Sequence, residues 1–254
     1  MKKHIAILDV ETNRKRKTFD IGLLIADTHG NEIFSRGYII KEYFKDTLYY
    51  EKHRKLYEKR LLDDNYPSFL VTAEKALKQV QRIFEHYKIK EVYAYNAGFD
   101  ARKIQELAKD HNTKNPLDDK KIECLWTWAC QTIFQQKRFA DFCIDNNLLT
   151  EKGNYKTSAE VAYAYINNKP KFEEEHTGLE DCKIEYEIYL HCKKQNKFRL
   201  RGIIHNPWIL VLTPEQIEKL PKQFQTMRVK FDDQVEKAKV LAERLQKPLQ
   251  VVTE

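Results

Sequence analysis

The stretch HIAILDVETN, residues 4–13, begins as an apolar run and ends with two carboxylates two positions apart. The run from His4 to Val10 is apolar on both alternating faces, which predicts a β-strand covered on both sides. In a strand, residues i and i+2 point to the same side, so Asp9 and Glu11 are expected to face one place. Two anions held that close raise each other's pKa unless a cation lies between them. The stretch therefore predicts either a hydrated turn or a metal site at the end of the first strand.

The composition is that of a globular protein with a mild excess of positive charge. The chain has 254 residues, of which 42% are hydrophobic, which is enough for one large domain or one domain with an appendage. With 33% charged residues and only 7 glycines and 7 prolines, the disordered and collagen-like classes are excluded. Lysine and arginine number 45 against 38 acids, and this net charge of +7 permits a polyanionic partner without proving one.

The cysteines and the N-terminus bear on the compartment. The five cysteines form no C-x-x-C pair, so we expect free thiols in a reducing cytoplasm rather than a disulfide framework or a zinc site. Acids interrupt the first apolar run within a few residues, so no signal peptide is predicted. No apolar run reaches about 18 residues, so we expect no membrane span. A cytoplasmic protein without a membrane partner is the expectation.

The order of the predicted elements indicates an α/β fold. FDIGLLIAD (19–27) and NEIFSRGYIIKE (31–42) are strand-like and are separated by the turn-rich THGN, which predicts a hairpin. Apolar residues at helical spacing predict a helix in the stretch 68–87, which follows Pro67. EVYAY (91–95) predicts a fourth strand, and FDARKIQELAKD predicts the helix after it. Antiparallel strands followed by alternating strands and helices predict a mixed sheet flanked by helices.

The remaining residues fall into two segments that differ in predicted secondary structure and in charge. The segment from 122 to about 192 is predicted to be mainly helical. In residues 197–254, WILVL is predicted as a strand, TPEQIEKL as a short capped helix and DDQVEKAKVLAERLQ as a longer amphipathic helix. This last piece has 11 Lys/Arg against 7 Asp/Glu, so it carries +4 of the net charge. We expect one domain over residues 1–196 and a small α/β extension over 197–254.

A second acidic position follows the fourth predicted strand, in YNAGFD. Asp100 falls in the first turn of the next helix, where an aspartate commonly complements the helix dipole. However, Asp100 shares one helical face with Ile104 and Leu107, so the acid lies on the stripe that packs against the sheet. A carboxylate in that position needs a partner. Both the capping and the functional interpretations stay open for this residue alone.

A third acidic position lies in EEEHTGLED. Thr177 and Glu180 have the T-x-x-E spacing of a capping box, which predicts Thr177 as the residue that caps a helix. His176 and Asp181 then occupy the two positions that normally meet in a hydrophobic staple. An imidazole and a carboxylate are therefore expected to meet at the start of that helix. The alternative is an ordinary surface histidine beside a surface aspartate.

Taken together, DVET, NAGFD and HTGLED resemble, in this order, the three exonuclease motifs of the DnaQ-like 3′–5′ exonucleases. Those proteins are members of the DEDD superfamily with an RNase H-like fold, and the resemblance covers about residues 4–192. The tyrosine branch of the superfamily has a tyrosine where this chain has Thr177. His176, five residues before Asp181, instead resembles the histidine branch, DEDDh. The resemblance implies an RNase H-like mixed five-stranded sheet flanked by helices, with the DEDDh exonuclease domain over residues 1–196.

The resemblance also implies roles for named residues. It implies that His176 is the general base and that two divalent cations, Mg²⁺ or Mn²⁺, are held by four carboxylates, those of Asp9, Glu11, Asp100 and Asp181. Contacts to the terminal nucleotide would be made by Thr12, Asn13, Asn96 and Phe99. Imidazole suits the role of accepting a proton from the attacking water at physiological pH.

The implied activity is removal of nucleoside 5′-monophosphates from a single-stranded 3′ end. We expect DNA as the substrate, in replication proofreading or repair, with a separate DNA polymerase as a partner. An exoribonuclease that trims RNA 3′ ends uses the same acids, and the 2′-hydroxyl contacts that would decide between them are not visible in the sequence. A weakly active nucleic-acid-binding module of a polymerase is a further alternative, although all four acids and the histidine are present.

The chain departs from the family after its first motif. Many relatives have a small-residue turn there, whereas this chain has ETNRKRKTFDIG. The four cations of the loop 14–17 could bind phosphates of the substrate strand, or could form an ordinary hydrated loop. Phe99 has two readings as well: core packing, or a ring that stacks against the terminal base.

Overall fold

The computed structural model describes residues 3–27, 29–44, 51–63, 66–195 and 200–244. The strands are β1 His4–Thr12, β2 Thr18–Asp27, β3 Glu32–Ile40, β4 Ser68–Val71, β5 Glu91–Ala94 and β6 Lys121–Cys124. The helices are α1 Lys41–Phe44, α2 Glu51–Leu61, α3 Ala73–His86, α4 Ala97–Asp110, α5 Leu125–Gln131, α6 Lys137–Asp145, α7 Ala159–Ile166, α8 Gly178–Lys194, α9 Pro214–Glu218 and α10 Lys222–Arg244, with a 3₁₀ helix at Pro207–Val211. No helix in these described ranges is both long and apolar enough to cross a bilayer.

The chain divides into two compact units. The first contains Met1–Glu123 and Glu173–Tyr186, and the second contains Cys124–Phe172 and Glu187–Glu254. The second unit therefore combines the predicted extension with the segment that follows β6. The boundary predicted after residue 196 rests on a change in sequence character, and it stays a prediction.

The first unit is built on one mixed sheet with the strand order β4-β3-β2-β1-β5-β6. β2 is antiparallel to both β1 and β3, whereas β5 runs parallel to β1 and β4 runs parallel to β3. This confirms the predicted α/β class and the mixed sheet, but the sheet has six strands rather than five. Four of the strands were located from the sequence, whereas β4 and β6, with four residues each, lie in stretches that the sequence analysis assigned to helix.

The core on one face of this sheet is formed by α3 and α4. Thr72 caps α3, because its Oγ1 accepts a hydrogen bond from the Lys75 amide at 3.3 Å. The periodic apolar residues of α3, among them Leu77, Val80 and Phe84, are buried against residues of β1 and β2. Each such side chain contributes about 1.5–3 kcal/mol on burial. Asp100 lies on α4, which packs into the same core, so this packing holds the helix that carries Asp100 in place.

A close contact between two glycines joins β2 to the start of α8. Gly22 pairs with Asp9 across the antiparallel ladder. A Cβ atom at Gly22 would lie 1.9 Å from the carbonyl oxygen of Gly178, and a Cβ at Gly178 would lie 2.6 Å from the Gly22 amide nitrogen. Only glycine at both positions lets the backbones approach this closely. The contact sets the start of α8 beside the strand that pairs with Asp9.

The second unit is helical among its described residues, apart from one isolated bridge between Leu149 and Tyr155. The prediction that WILVL forms a strand is wrong, because these residues lie in the 3₁₀ helix Pro207–Val211 and its end. Asn206 has a left-handed backbone (φ 55°), and Pro207 then starts the 3₁₀ turn. The described part of the extension is consequently helical and not α/β.

The helices predicted in the extension are present. α9 begins with a capping box between Thr213 and Gln216, and Pro214 occupies its first turn. α10 begins at Lys222, ten residues before the predicted helix. The five cysteines are buried, and none of these described residues takes part in a disulfide.

Candidate active site

The four acids of the three motifs meet at the end of β1. Asp9 and Glu11 lie on that strand, Asp100 in the first turn of α4 and Asp181 in the first turn of α8. The Val10 amide donates a hydrogen bond of 3.2 Å to Asp100 Oδ1, which ties the first motif to the second. Asp100 and Asp181 are only 2% and 7% exposed.

The third motif lies next to Glu11 of the first motif. One ligand atom each of Glu11, His176 and Asp181 lies within 4.8 Å of the other two. Residues separated by more than 160 positions in the chain thus converge on one site. The structure therefore brings together all five residues for which the resemblance implies metal-binding or catalytic roles.

Burial and the proximity of several carboxylates dominate the electrostatics of the cluster. Burial, and after it the neighbouring carboxylates, raise the pKa of Glu11 to about 7 and that of Asp181 to about 9. Asp181 donates a hydrogen bond to the Glu11 carboxylate, which lowers the pKa of Glu11 and raises that of Asp181. Burial and then the surrounding carboxylates also hold the pKa values of Asp9 and Asp100 well above their ordinary range.

Orphaned oxygens show that the cluster fits cations. Asp9 Oδ2, Asp100 Oδ2 and Asp181 Oδ1 are buried and have no hydrogen-bond partner within the described part of the chain. Buried polar atoms are normally paired, and an unpaired buried charge is costly. Carboxylate oxygens are the ligands that Mg²⁺ and Mn²⁺ prefer. The donor set therefore suits divalent cations of this hard class.

His176 lies at the edge of the cluster in a strained backbone conformation. Its φ of 52° is in the left-handed region, which a residue other than glycine rarely adopts. Its side chain is 54% exposed, and its Nδ1 lies 3.9 Å from Glu174 Oε2. The imidazole thus borders both the acids and solvent, where an incoming water could reach it.

Helix α2 supplies a clamp that the sequence analysis did not predict. Tyr57 donates hydrogen bonds to Asp20 Oδ2 at 2.6 Å and to the His176 carbonyl at 3.4 Å. The same Asp20 oxygen accepts the Gly178 amide at 3.0 Å. Asp20 also pairs with Glu11 in the β-ladder. The signal that could have identified Asp20 was a charged residue directly before the apolar run IGLLIA in FDIGLLIAD.

Arg60 completes this clamp. Its guanidinium donates hydrogen bonds to Thr177 Oγ1 and Glu175 Oε2, and it stacks over the Tyr66 ring at 4.7 Å. Tyr66 in turn donates to Glu180 Oε1 at 3.0 Å. Thr177 and Glu180, predicted as a capping box, are thus bound by side chains from outside α8. Side chains on both sides of His176 are therefore bound by residues outside the third motif.

Glu185 is a further buried acid that the motifs did not reveal. It follows Asp181 by four residues on α8, so the two side chains lie on one helical face. It is 2% exposed, and its Oε1 accepts the Tyr95 amide at 2.9 Å. The i, i+4 spacing of two acids in a helix was the available sequence signal.

The residues expected to contact the nucleotide differ in what surrounds them. Thr12 lies at a register shift at the end of β1, and Asn96 is exposed at the start of α4 with a left-handed φ of 60°. Phe99 is half-buried against the core and lies beneath Arg102 at 5.9 Å, which favours its packing role.

Asn13 is engaged within its own loop. Its Oδ1 accepts the amides of Lys15 and Lys17, both at 3.0 Å, and its Nδ2 donates to the Tyr43 carbonyl. The side chain is thus part of an Asx turn that shapes the loop. A nucleotide contact by Asn13 gains no support from this arrangement and stays a prediction.

The basic loop after β1 is tied to α4. Lys17 Nζ lies 2.5 Å from Asp110 Oδ2, and the buried Lys103 donates to the Arg16 carbonyl at 2.9 Å. Arg14, Lys15 and Arg16 have exposed side chains. The loop therefore presents positive charge from a fixed backbone.

Solved structures similar to this chain are exonucleases, whereas no family model and no curated protein sequence matches it. A 3′-exonuclease in 3′-end specific recognition of a histone mRNA stem-loop has a TM-score of 0.53 at 10% identity, over 76% of this chain and 82% of that one. The nuclease domain of 3′hExo, a DEDDh family member bound to rAMP, has a TM-score of 0.51 at 10% identity, over 79% of this chain and 96% of that one. Exonuclease I of E. coli, in a complex with single-stranded DNA, has a TM-score of 0.50 at 10% identity. In that case the match covers 76% of this chain and 41% of exonuclease I.

Proposed function

Since the chain has the DnaQ-like, RNase H-like exonuclease fold, we propose that it is a metal-dependent 3′–5′ exonuclease. It hydrolyses phosphodiester bonds at the 3′ end of single-stranded DNA and releases nucleoside 5′-monophosphates. The observation that supports this most is the convergence of three distant motifs into one buried acid cluster, with oxygens left unpaired and an exposed imidazole beside them.

The residues have distinct tasks in this proposal. Two divalent cations, Mg²⁺ or Mn²⁺, would be held by Asp9, Glu11, Asp100 and Asp181. Bound there, such cations activate water and stabilise the charge that develops on the phosphate oxygens. His176 accepts the proton of the attacking water, since its side chain is accessible and close to Glu11 and Asp181. Tyr57 binds the His176 carbonyl, and Arg60 binds the side chains of the flanking Glu175 and Thr177, so that the imidazole is held in place before substrate binds.

Substrate binding is proposed along the positive surfaces. The exposed cations of the loop 14–16 would bind phosphates upstream of the cleaved bond, with Thr12 and Asn96 near the terminal nucleotide. The extension 197–254, with its charge of +4, would also bind phosphates of the strand. A cytoplasmic role in proofreading or repair, beside a separate DNA polymerase, completes the proposal.

RNA is the alternative substrate. One structural neighbour is a 3′-exonuclease that recognises histone mRNA, and a second is bound to rAMP, whereas exonuclease I is bound to single-stranded DNA. The fold and the acids therefore suit both sugars. A weakly active accessory module is the further alternative, and it would bind the same strands without shortening them.

Digestion of end-labelled oligomers tests the activity and its direction together. Matched single strands of DNA and RNA, each labelled at the 5′ or the 3′ end, are incubated with Mg²⁺, Mn²⁺ or EDTA. We expect 5′-labelled strands to shorten stepwise, 3′-labelled strands to release a labelled mononucleotide first, and EDTA to stop both reactions. The preferred sugar is the one that is shortened faster. Binding without shortening of either strand would contradict the proposed activity.

A further inference from the structure

A cavity of about 400 Å³ lies within the second unit. Its lining residues belong to a tight turn and to the 3₁₀ helix, and they are Thr150, Glu151, Lys152, Asn154 and Trp208. Cavities that bind small ligands have volumes of about 300–1,000 Å³ and combine apolar surface with a few polar groups. The indole of Trp208 supplies the apolar surface here. The cavity therefore has the size and the lining of a ligand site.

Trp208 is held in a fixed position by its neighbours. Its ring contacts that of Phe224 on α10, with the two centroids 5.6 Å apart, and its Nε1 donates a hydrogen bond to Asn206 Oδ1 at 3.4 Å. Arg228, also on α10, donates hydrogen bonds to the carbonyls at positions 209 and 212, at 3.0 and 3.1 Å. The indole is half-buried, so part of it stays accessible from the cavity. A ligand would meet an aromatic surface that needs no further ordering.

The turn beside Trp208 is also well ordered. The Thr150 amide donates to the Asn154 carbonyl at 2.7 Å, and the Asn154 amide donates to Thr150 Oγ1 at 3.1 Å. Gln216 of α9 donates to Asn154 Oδ1 at 3.4 Å. At the tip of the turn, the side chains of Glu151 and Lys152 are exposed and form no ion pair with any described residue. The Lys152 ammonium is therefore available to an anion.

An accessible indole beside an available ammonium matches the chemistry of a nucleotide. Bases of a single strand stack on aromatic side chains, and lysines contact the phosphates that join them. The charge of +4 on residues 197–254, which include Trp208, favours a polyanion over an uncharged apolar ligand. Glu151 opposes a phosphate at the same turn, so most of the affinity is expected from the ring.

We propose that this cavity binds one nucleotide of a single strand, with its base stacked on Trp208 and its phosphate beside Lys152. The inference rests on the proposed function, because it gives the nucleic acid a second contact besides the acid cluster. The consequence is that affinity for a strand depends on its bases as well as on its phosphates.

The test is fluorescence anisotropy of the full-length protein in EDTA, which prevents metal-dependent cleavage of the strand. The probes are a labelled single-stranded DNA oligomer and an abasic oligomer of the same length. We expect Trp208→Leu to weaken binding of the base-bearing oligomer by about 5- to 100-fold and to leave binding of the abasic oligomer unchanged. Trp208→Phe should keep most of the affinity, because it retains an aromatic ring.

Lys152→Gln and Glu151→Gln form a matched pair, because both residues are exposed at the same turn and differ in sign. Lys152→Gln should lower the slope of log affinity against log salt concentration by about 0.7, the value for one phosphate contact on a single strand. Glu151→Gln should bind the oligomer at least as tightly as the wild type. Unchanged binding in both variants and in Trp208→Leu would assign the cavity to an uncharged apolar ligand and overturn the inference.

Digestion with Mg²⁺ separates this inference from the proposed function. If the wild type shortens strands and Trp208→Leu binds both oligomers as the wild type does, the inference is wrong and the nuclease proposal stands. If no strand is shortened but Trp208→Leu loses affinity for the base-bearing oligomer alone, the nuclease proposal is wrong and the inference stands. Thermal melting establishes that each variant is folded. If Trp208→Leu does not fold, a wild-type salt slope in Lys152→Gln overturns the inference alone.

Discussion

Single residues at the site keep bonding capacity that the fold does not use. One oxygen of Asp100 accepts a hydrogen bond from the Val10 amide, and the other is buried without a partner in the described chain. Asp181 likewise has one unpaired oxygen, and its hydrogen bond to Glu11 raises its pKa. Such groups destabilise the protein without a ligand, and they are common where a ligand binds. His176 differs from them, because it is exposed and can meet water.

Replacing His176 by alanine tests the role of the imidazole. We expect the turnover rate on a single-stranded oligomer to fall by about 10²- to 10⁴-fold, because the attacking water loses its proton acceptor. The dissociation constant for the same oligomer should change little, since the acids and the basic loop are intact. Rapid-quench kinetics and fluorescence anisotropy measure the two quantities separately.

His29→Ala is the control, because His29 is exposed in the β2–β3 turn. It should leave both quantities unchanged. A His176→Ala protein that loses affinity but keeps its turnover rate would remove the proton-transfer role.

Where the spacing within a motif fixes the local geometry, the sequence predicted which side chains lie close together. Asp9 and Glu11 were predictable from strand alternation, and Asp181 with His176 from the geometry of a helix start. The burial of Glu185 was missed because it depends on where α8 lies against the end of β5, whose Tyr95 amide the carboxylate binds, and the sequence does not contain that distance. Asn13 shows the opposite case, since its side chain is used by a turn that the sequence pattern did not indicate.

At the scale of elements, α2 and the glycine contact hold the third motif in place. α2 binds the backbone and side chains of residues 175–177 through Tyr57 and Arg60. On the other side, Gly178 lies directly against Gly22 of β2. The left-handed turn at His176 is therefore fixed by two separate elements.

Removing the Tyr57 hydroxyl should loosen this turn. In Tyr57→Phe, the buried Asp20 carboxylate loses a donor, so we expect a loss of about 1–3 kcal/mol of unfolding free energy. The turnover rate should fall more than the affinity, because the His176 carbonyl loses the same hydroxyl. Urea denaturation and steady-state kinetics measure the two effects.

Tyr165→Phe is a suitable comparison, because the Tyr165 hydroxyl donates to the neutral side chain of Gln136. It should cost less stability and leave the turnover rate unchanged. Unaltered kinetics in Tyr57→Phe would show that α2 does not position His176.

Adding a methyl group at Gly22 should be severe. In Gly22→Ala, the new Cβ would lie 1.9 Å from the Gly178 carbonyl, so β2 and α8 must separate. We expect a loss of about 3 kcal/mol or more, at the upper end of overpacking costs, together with loss of activity.

Gly153→Ala serves as the comparison, because its φ of +75° strains alanine while the space around it is open. It should cost about 1–2 kcal/mol and keep full activity. Equal stability losses and retained activity in Gly22→Ala would contradict the close approach.

Whether a helix or strand could be predicted from the sequence depended on its length. The 14-residue helices α3 and α4 have long apolar periodicities, and both were predicted. β4 and β6 have four residues each, too few for a periodic signal, and both lie in stretches that were assigned to helix. WILVL has strand-forming residues, but Pro207 and the left-handed Asn206 impose a 3₁₀ turn that outweighs this tendency.

At the scale of the whole molecule, the acid cluster couples stability to pH and to metal. Glu11, with a pKa raised from 4.5 to about 7, and Asp181, raised from 3.8 to about 9, bind protons more tightly in the folded protein than in the unfolded chain. The stability that these groups contribute is present below their ordinary pKa values. It is lost as pH rises through the folded values.

We therefore expect the metal-free protein to lose stability between about pH 4 and pH 9 through these acids. Divalent cations compete with the bound protons, so the gain in Tm from saturating Mg²⁺ should increase with pH across this window. Differential scanning fluorimetry in EDTA and in Mg²⁺, at matched ionic strength, measures this gain. A gain that is the same at every pH would mean that the cations bind elsewhere.

The location of bound Mn²⁺ tests the central claim most directly, because the account depends on the acid cluster being a cation site. Crystals grown with Mn²⁺ and measured near the manganese absorption edge give anomalous difference peaks at the ions. We predict peaks at ligand distance from the carboxylates of Asp9, Glu11, Asp100 and Asp181. A well-ordered map with those four side chains in place and no anomalous peak among them would contradict the account.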